Sequence, residues 1–520
     1  MTGEIAVDTG SRRADRRLMA ALALAALLQV ILALRSSAVC TDAPVFVAMA
    51  RALQSHPAGA IRSFDQHPGY SALLLPAHWL CERVTSLTGV DSWIAAGRRV
   101  SGLFGLLTVF AVWLLTRRLF GRPLAGMAAV MAAVVPLFSA SATDVQSDTA
   151  HLFFYVLAAW MLLEGLQRWR WGWFAAAGLS SAVAYWIRPE GFSVAIVGAG
   201  VLAVVAVQRR SLRALAMLGV LVLTAAAVAA PYWCVKGAFT SKKDVRTLAG
   251  APAEAPGSLK VSVAGPPLLL IAPASRSNLR GLFRLVDRCA KEMRYVLAVY
   301  LVFGIWSRRR MQIALCETGA VGALAGFHLL LLVALYRMAG YIDSRHVMVL
   351  IALSLPWAAV GLAAFAEWVP AYAQKYRRPW FARYADRSWA RPAGFRTVLL
   401  VLLVLCFSPR AANPPHGNQK SLLTAVSWLR RNAGPADPVL TNAPMVLFYT
   451  GLPGREANDE AALRRELEPG ISTGRFVALD SHRFAPSAAV ENMLKERYDP
   501  VPGFPIRTTD GFEFQLMSRR

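Results

Sequence analysis

SSAVCTDAPVFVAMARALQSHPAGAIRSFDQHPGY, Ser36 to Tyr70, is the stretch on which the reading of the fold turns. It opens where an apolar run, Leu18–Leu34, gives out. It carries an acid, Asp42, then Pro44, Phe46, the run Ala50-Arg51-Ala52-Leu53 and finally Gln66-His67-Pro68-Gly69-Tyr70. If the apolar run crosses a bilayer, Asp42 lies where hydrocarbon gives way to water, partly desolvated yet within reach of a polar substrate. A membrane enzyme would keep its base there.

The remainder of the chain supports that setting. Of 520 residues, 56% are apolar and 17% charged, the mean hydropathy is +0.42, and the apolar residues come in blocks rather than in the spaced stripes of a soluble core. The net charge of +25, from 56 Lys and Arg against 31 Asp and Glu, would elsewhere suggest nucleic acid. Here the basic residues cluster between apolar blocks, as membrane topology requires, so no nucleic-acid partner is expected.

Residues 1–17 end in Arg12-Arg13 and Arg16-Arg17 and read as a cytoplasmic N-terminus ahead of a signal anchor; the small residues Ser36-Ser37-Ala38 leave a cleaved signal peptide as the alternative. The periodicity gives about eleven spans. They are Leu18–Leu34, Val100–Thr116, Leu124–Ala140, His151–Leu166, Gly172–Ile187, Phe192–Val207, Ala214–Ala230, Tyr295–Trp306, Ile313–Leu335, His346–Phe365 and Val398–Phe407. Alternate connections carry Arg117-Arg118-Arg122, Arg168-Arg170, Arg209-Arg210-Arg213, Arg308-Arg309-Arg310 and the basic segment Lys375 to Arg396, which places all of them on the cytoplasmic side.

The opposite side then receives two long loops, 36–99 and 231–294, and the tail from Ser408. Loops of that length carry function more often than they merely connect. In the first loop, Asp42–Leu53 and Tyr70–Leu87 each read as an interfacial helix, with Leu73, Leu74, Leu75, Trp79 and Leu80 against His78, Glu82 and Arg83. They form a cap on the bundle or a roof over Asp42. The tail alternates helix (Ser421–Asn432, Ala457–Glu466, Ala488–Arg497) and strand (Pro438–Leu440, Arg475–Leu479, Phe512–Leu516), a small α/β domain. The architecture is thus a cytoplasmic segment 1–17, a transmembrane domain 18–407 and an extracytoplasmic α/β domain 408–520.

Six cysteines match no metal spacing. Cys40 and Cys81 share the first outer loop and Cys234 and Cys289 the second, so two disulfides are expected in an oxidising compartment, with unpaired buried thiols as the alternative.

Thr41-Asp42, Phe46, Ala50-Arg51, His67-Pro68-Gly69-Tyr70, Gln146-Ser147-Asp148 opening a span, Arg188-Pro189-Glu190 closing one and Ser344-Arg345-His346 opening another occur in an order that resembles the GT-C glycosyltransferases. The protein O-mannosyltransferase and lipid A aminoarabinose transferase branches are the most similar. The resemblance covers nearly the whole chain. It implies a GT-C-like membrane fold and inverting transfer of a sugar from a polyprenyl-phosphate carrier to a lipid, glycan or protein acceptor, with Asp42 in the position of the first-loop catalytic acid. It also implies a bacterial inner membrane with the active site facing outward.

The chemistry can be argued from the residues alone. A hydroxyl attacking a glycosyl phosphate needs a proton acceptor, and Asp42 is the first choice. The departing lipid phosphate needs positive charge or donors, for which Arg188, Arg345 and His346 are candidates; arginines at span ends also serve simply to snorkel. Asp148 and His151 lie one helical turn apart and would contact the acceptor or a cation, unless Asp148 only caps its helix. His67 is a donor or ligand, or a turn residue before proline. Asp42, Asp148 and His67 are the set that would hold a divalent metal ion. A transporter or flippase of lipid-linked sugars is the competing class; charges gathered on one face, no inverted repeat and a large outer domain favour the transferase.

The Arg clusters fix the expected topology. Reporter fusions after Arg310 and at the C-terminus should give opposite answers, and matching answers would remove the assignment.

Overall fold

The computed structural model describes residues 5–240, 278–307, 315–375, 392–415, 419–468, 474–481, 483–507 and 513–520. The basic clusters at 308–310 and 376–391 and the middle of the second long loop, 241–277, lie outside the described residues.

The chain is a polytopic α-helical membrane protein. Among the described residues, eight helices are long and apolar enough to cross a bilayer: Asp15–Arg35, Gly89–Phe120, Asp148–Arg168, Pro189–Arg209, Leu212–Lys236, Cys316–Met338, Ser344–Tyr372 and Pro392–Ala411. A pair bent by 63°, α6 (Arg122–Val134) and α7 (Pro136–Ala142), makes a ninth if the two count as one span. Pro136 supplies the break, since proline cannot donate its backbone N–H to the preceding turn. Among the described residues, the eleven stretches expected from periodicity fall on helical segments, Ile313–Leu335 from residue 315 onward and Leu124–Ala140 split between α6 and α7. Two are shorter than a full crossing: α9 (Trp171–Ile187) has 17 residues and α13 (Val296–Ser307) has 12.

The working parts of the bundle follow in chain order. The first helix, α1 (Ile5–Arg35), leads into three short helices, α2 (Ala43–Ser55), α3 (Pro57–Ser63) and α4 (Gly69–Val84), before α5 (Gly89–Phe120). Then come α8 (Asp148–Arg168), α10 (Ser193–Arg209), α11 (Leu212–Lys236), α12 (Asn278–Glu292), α14 (Leu315–Ala339), α15 (Met348–Lys375) and α16 (Pro392–Ala411). The long core of buried Ala, Leu and Val runs through α1, α5, α6, α8, α14 and α15. Small residues let helices approach closely where lipid gives no hydrophobic drive for association. At Gly304 and Gly361, α13 and α15 touch backbone to backbone: a Cβ on Gly361 would lie 1.8 Å from the Tyr300 carbonyl oxygen, and one on Gly304 1.9 Å from that of Trp357.

The last hundred or so residues hold the small sheet. Its strands are β1 (Val439–Thr441), β2 (Gly454–Glu456), β3 (Phe476–Asp480), β4 (Tyr498–Pro500), β5 (Ile506–Arg507) and β6 (Glu513–Arg519), in the order β2-β1-β3-β6-β4 with β5 beside β6. The β1 strand is parallel to β2 and β3, and β6 is antiparallel to β3 and β4. Helices α17 (Lys420–Asn432) and α18 (Pro444–Thr450) cover the side toward the membrane domain, and α19 (Glu460–Glu466) and α20 (Ala488–Arg497) belong to a separate small core. One continuous core joins Leu422, Val426 and Met445 of this region to Phe46, Tyr70 and Trp93 of the first loop and α5. Polar ties reinforce it. The Val39 N–H donates to the Tyr449 hydroxyl at 2.7 Å, and Arg430 donates twice to Asp91, at 3.0 and 3.1 Å.

The Gly304–Gly361 contact leaves no room for a methyl group. Gly361→Ala should therefore destabilise the bundle by about 1–3 kcal/mol or more, because backbone and not a flexible side chain must move, read as a lower unfolding temperature in detergent; an unchanged temperature would mean that the two helices do not meet there.

Candidate active site

Asp42 ends the turn that follows α1 and immediately precedes α2, in the N-cap position, yet its side chain makes no capping hydrogen bond. Its carboxylate instead pairs with Arg345, from the short helical turn Ser344–Val347 that opens α15. Asp144 holds the turn in place: its carboxylate accepts from the backbone N–H of Cys40 at 2.9 Å and of Val145 at 2.7 Å, and from the Gln146 side chain at 3.0 Å. Asp144 is therefore a positioning group, reaching the backbone two residues before Asp42.

A second acid–arginine pair lies beside the first. Asp148, the first residue of α8, is almost fully buried and pairs with Arg188, which follows α9. Neither it nor Ser147 caps α8 through its side chain. Arg188 is also 3.6 Å from Glu190. The Pro189–Phe192 turn carrying Glu190 folds tightly on α9, with Ser181 donating to the Gly191 carbonyl at 2.8 Å. Only glycine fits at 191, where a Cβ would lie 2.3 Å from the Ala184 backbone.

The Ser344–Val347 turn is fixed by a reciprocal cap. The Asp343 carboxylate accepts from the Ser344 N–H at 2.7 Å, while His346 Nδ1 accepts from the Asp343 N–H at 3.2 Å. This leaves the proton of a neutral His346 on Nε2. His328, inside the apolar α14, lies with Nε2 3.2 Å from the His346 carbonyl oxygen, which it reaches as a donor.

These groups border one cavity of about 340 Å³, open to solvent, lined by Asp148, His151, Arg188, Glu190, His328, Arg345 and His346. Asp42 is tied to its rim through Arg345. An apolar cavity of about 680 Å³ adjoins it, sharing Glu190 and Leu332 and lined otherwise by residues such as Phe192, Ile196, Phe239, Leu331 and Leu335. Charge and hydrocarbon surface thus meet at Glu190.

Two expected placements differ in the structure. His67 does not line the charged cavity. It is packed among Tyr232, with ring centroids 4.7 Å apart, and Tyr185, at 5.0 Å, and its Nε2 is 2.9 Å from the Thr240 hydroxyl. The expected metal set does not converge either, since Asp42 goes to Arg345, Asp148 to Arg188 and His67 to Thr240. Among the described residues no group of three or more His, Cys, Asp and Glu could hold a metal ion.

The two disulfides are likewise not formed, and all six cysteines are free thiols. Each first-loop thiol has another partner: Cys40 Sγ donates to the Val145 carbonyl at 3.2 Å, and Arg99 donates to Cys81 Sγ at 2.6 Å. Burial, then the nearby Asp144 and Asp42 carboxylates, pushes the Cys40 thiol well above its ordinary range. Cys289 is pushed up to about 12, chiefly by burial, and Cys234 faces outward.

Glu190, His328 and Asp144 are the site residues that sequence reasoning did not single out. A histidine in mid-span is itself a signal, since an ionisable group inside a membrane segment is costly unless used. Glu190 was visible only as part of the Arg188-Pro189-Glu190 motif.

Residues 67–234 match the profile of the family described as dolichyl-phosphate-mannose-protein mannosyltransferase. No curated protein matches the chain. Among solved structures, ArnT from Cupriavidus metallidurans in the apo state is similar, with 13% identity and a TM-score of 0.62 over 96% of this chain and 97% of that one. The same enzyme bound to undecaprenyl phosphate gives 13% identity and a TM-score of 0.58, over 96% and 97%. The oligosaccharyltransferase AglB from Archaeoglobus fulgidus, in complex with an inhibitory peptide and a dolichol-phosphate, gives 13% identity and 0.52, over 96% of this chain and 74% of that one.

All six thiols should alkylate in denaturant without reductant. In the native protein Cys40 should stay unmodified while Cys234 reacts; a requirement for reductant to expose either expected pair would restore the disulfides.

Proposed function

We propose that this chain, which has the fold of the GT-C membrane glycosyltransferases, transfers a sugar from a polyprenyl-phosphate carrier to a lipid, glycan or protein acceptor with inversion at the anomeric carbon. The observation that carries the reading is the junction of two cavities: arginines and a histidine beside carboxylates in one, an apolar trough in the other, meeting at Glu190 and Leu332. An amphiphile with an anionic head and a hydrocarbon tail has matching surfaces for both halves. Similar enzymes have been seen with undecaprenyl phosphate and with dolichol-phosphate, which supports a lipid phosphate as the carrier here.

The acceptor hydroxyl attacks the anomeric carbon as the bond from that carbon to the phosphate oxygen breaks, and the hydroxyl proton passes to Asp42. Negative charge gathers on the departing lipid phosphate. Arg345 and Arg188 neutralise it with the planar fork suited to phosphate, and the Nε2–H of His346 adds a neutral donor. Asp148 holds Arg188 toward the cavity, and His151, one turn along α8, lines the wall where an acceptor would approach. The reading places the protein in a bacterial inner membrane, with the cavity and the C-terminal domain on the extracytoplasmic face.

Purified protein given a labelled polyprenyl-phosphate sugar should release free carrier phosphate and transfer the label. Asp42→Asn keeps the shape but loses proton acceptance, so turnover should fall by on the order of 10²–10⁴-fold with donor binding nearly intact. Arg345→Ala should weaken donor binding, and Arg345→Lys should rescue only part of it. Full turnover in Asp42→Asn would end its case as the base, and lost thermal stability with normal turnover in the folded fraction would make it a structural residue.

A further inference from the structure

His328 lies near the middle of the span Cys316–Met338 and is 3% exposed, and the transfer chemistry leaves it without a task. A polar ring at that depth costs free energy unless its nitrogens are engaged. One of them is. Nε2 donates to the His346 carbonyl oxygen at 3.2 Å and so helps to hold the turn that carries Arg345. In the neutral ring the proton is therefore on Nε2, and Nδ1 is an acceptor only. Nδ1 is buried, and among the described residues nothing donates to it. Tyr155 packs edge-on against the ring, with centroids 6.1 Å apart, but its hydroxyl is engaged with Ser193 at 3.1 Å.

The ring borders the charged cavity, and the cavity charges that act on it are those of Glu190 and Arg188. Leu332, one turn along the same side of α14, lines both the charged and the apolar cavity. The parts of a glycosyl phospholipid differ in what they could offer Nδ1. Its phosphodiester has lost its proton at neutral pH and only accepts, which suits Arg188, Arg345 and the Nε2–H of His346. Its hydrocarbon tail has no donor. The attacking hydroxyl of the second substrate gives its proton to Asp42. The sugar hydroxyls remain, and each of them can donate.

We propose that His328 is a specificity-determining residue for the sugar, its Nδ1 accepting a hydrogen bond from one hydroxyl of the carrier-borne ring while Arg188, Arg345 and His346 hold the phosphate. The inference rests on the transfer reading above and deepens it. His346 joins the two tasks, since its side chain serves the phosphate and its carbonyl oxygen fixes His328. A buried acceptor built to receive an O–H discriminates against a sugar that lacks that hydroxyl, because the nitrogen is then left unpaired.

The test measures dissociation constants on the full-length protein in detergent. The probes are bare undecaprenyl phosphate and its glycosides with glucose, mannose, galactose and arabinose; the glycoside bound most tightly is carried forward with its monodeoxy analogues. His328→Gln keeps an N–H near the Nε2 position and puts no acceptor at Nδ1. It should weaken the glycoside roughly three- to tenfold and leave bare undecaprenyl phosphate within about twofold. One monodeoxy analogue should lose the same factor against the native protein and nothing further against the glutamine variant. His328→Asn keeps an acceptor near Nδ1 but does not reach His346, so it should lower the unfolding temperature, weaken both probes alike and retain their ratio. A ratio unchanged in His328→Gln or lost in His328→Asn overturns the proposal, as does a deoxy series in which every loss adds to that of the glutamine variant. A native protein that binds neither the bare carrier nor any glycoside removes the carrier reading itself and this inference with it, whereas tight binding with an unchanged ratio sinks the role of His328 alone.

Discussion

The ion pair between Asp42 and Arg345 fastens the first loop to the start of α15, and the polar architecture is arranged about it. Two charges taken from water into a partly buried site are tolerable only with good geometry and satisfied neighbours. The neighbours are supplied on both sides. Asp144 holds the backbone ahead of Asp42, the Asp343–His346 cap holds the turn that carries Arg345, and the Asp148–Arg188 pair stands alongside. The opposite end of the bundle has its own charged pairs, where largely buried Arg118 meets Glu317 and exposed Arg168 meets buried Glu164 at 2.8 Å. Between these two ends the core is nearly all hydrocarbon.

Because the pairs bridge α8, α9 and α15, the cavity is a property of the bundle, while Asp42 belongs to a loop. The C-terminal region links the two. Its α17 and α18 share a core with the first loop, and Tyr449 accepts a hydrogen bond from Val39, three residues before Asp42. Burial pushes the Tyr449 phenol up to about 12, so this acceptor keeps its proton at neutral pH. The sheet thus buttresses the turn that presents the acid.

Much of this was legible in the chain because hydrophobic blocks and proline breaks are local signals. The helices and the strands Val439–Thr441 and Phe476–Asp480 have such signatures, whereas Leu124–Ala140 reads as one span and the structure bends it by 63° ahead of Pro136. The strands Gly454–Glu456 and Tyr498–Pro500 do not: each has three residues and exists because a neighbour pairs with it. The convergence of Asp148, Arg188, Arg345 and His346 could be guessed only because each opens or closes a span, and membrane helices bring such ends together. His67 looked the same in sequence, yet the fold turns it into an aromatic cluster. Cysteine spacing could not reveal that Cys40 and Cys81 would each find a different partner.

The Asp42–Arg345 pair joins positions 303 residues apart. During synthesis the chain emerges from its N-terminus, so the acid is released long before its arginine exists, and more than half of the helices must be inserted before the pair closes. Ordering a contact of such separation early would cost chain entropy that later helices have not yet offset. This pair therefore closes later than the Asp148–Arg188 pair, whose partners are 40 residues apart. A chain stalled before residue 345 can hold most of the bundle and the Asp148–Arg188 pair, and still lack the Asp42–Arg345 half of the site.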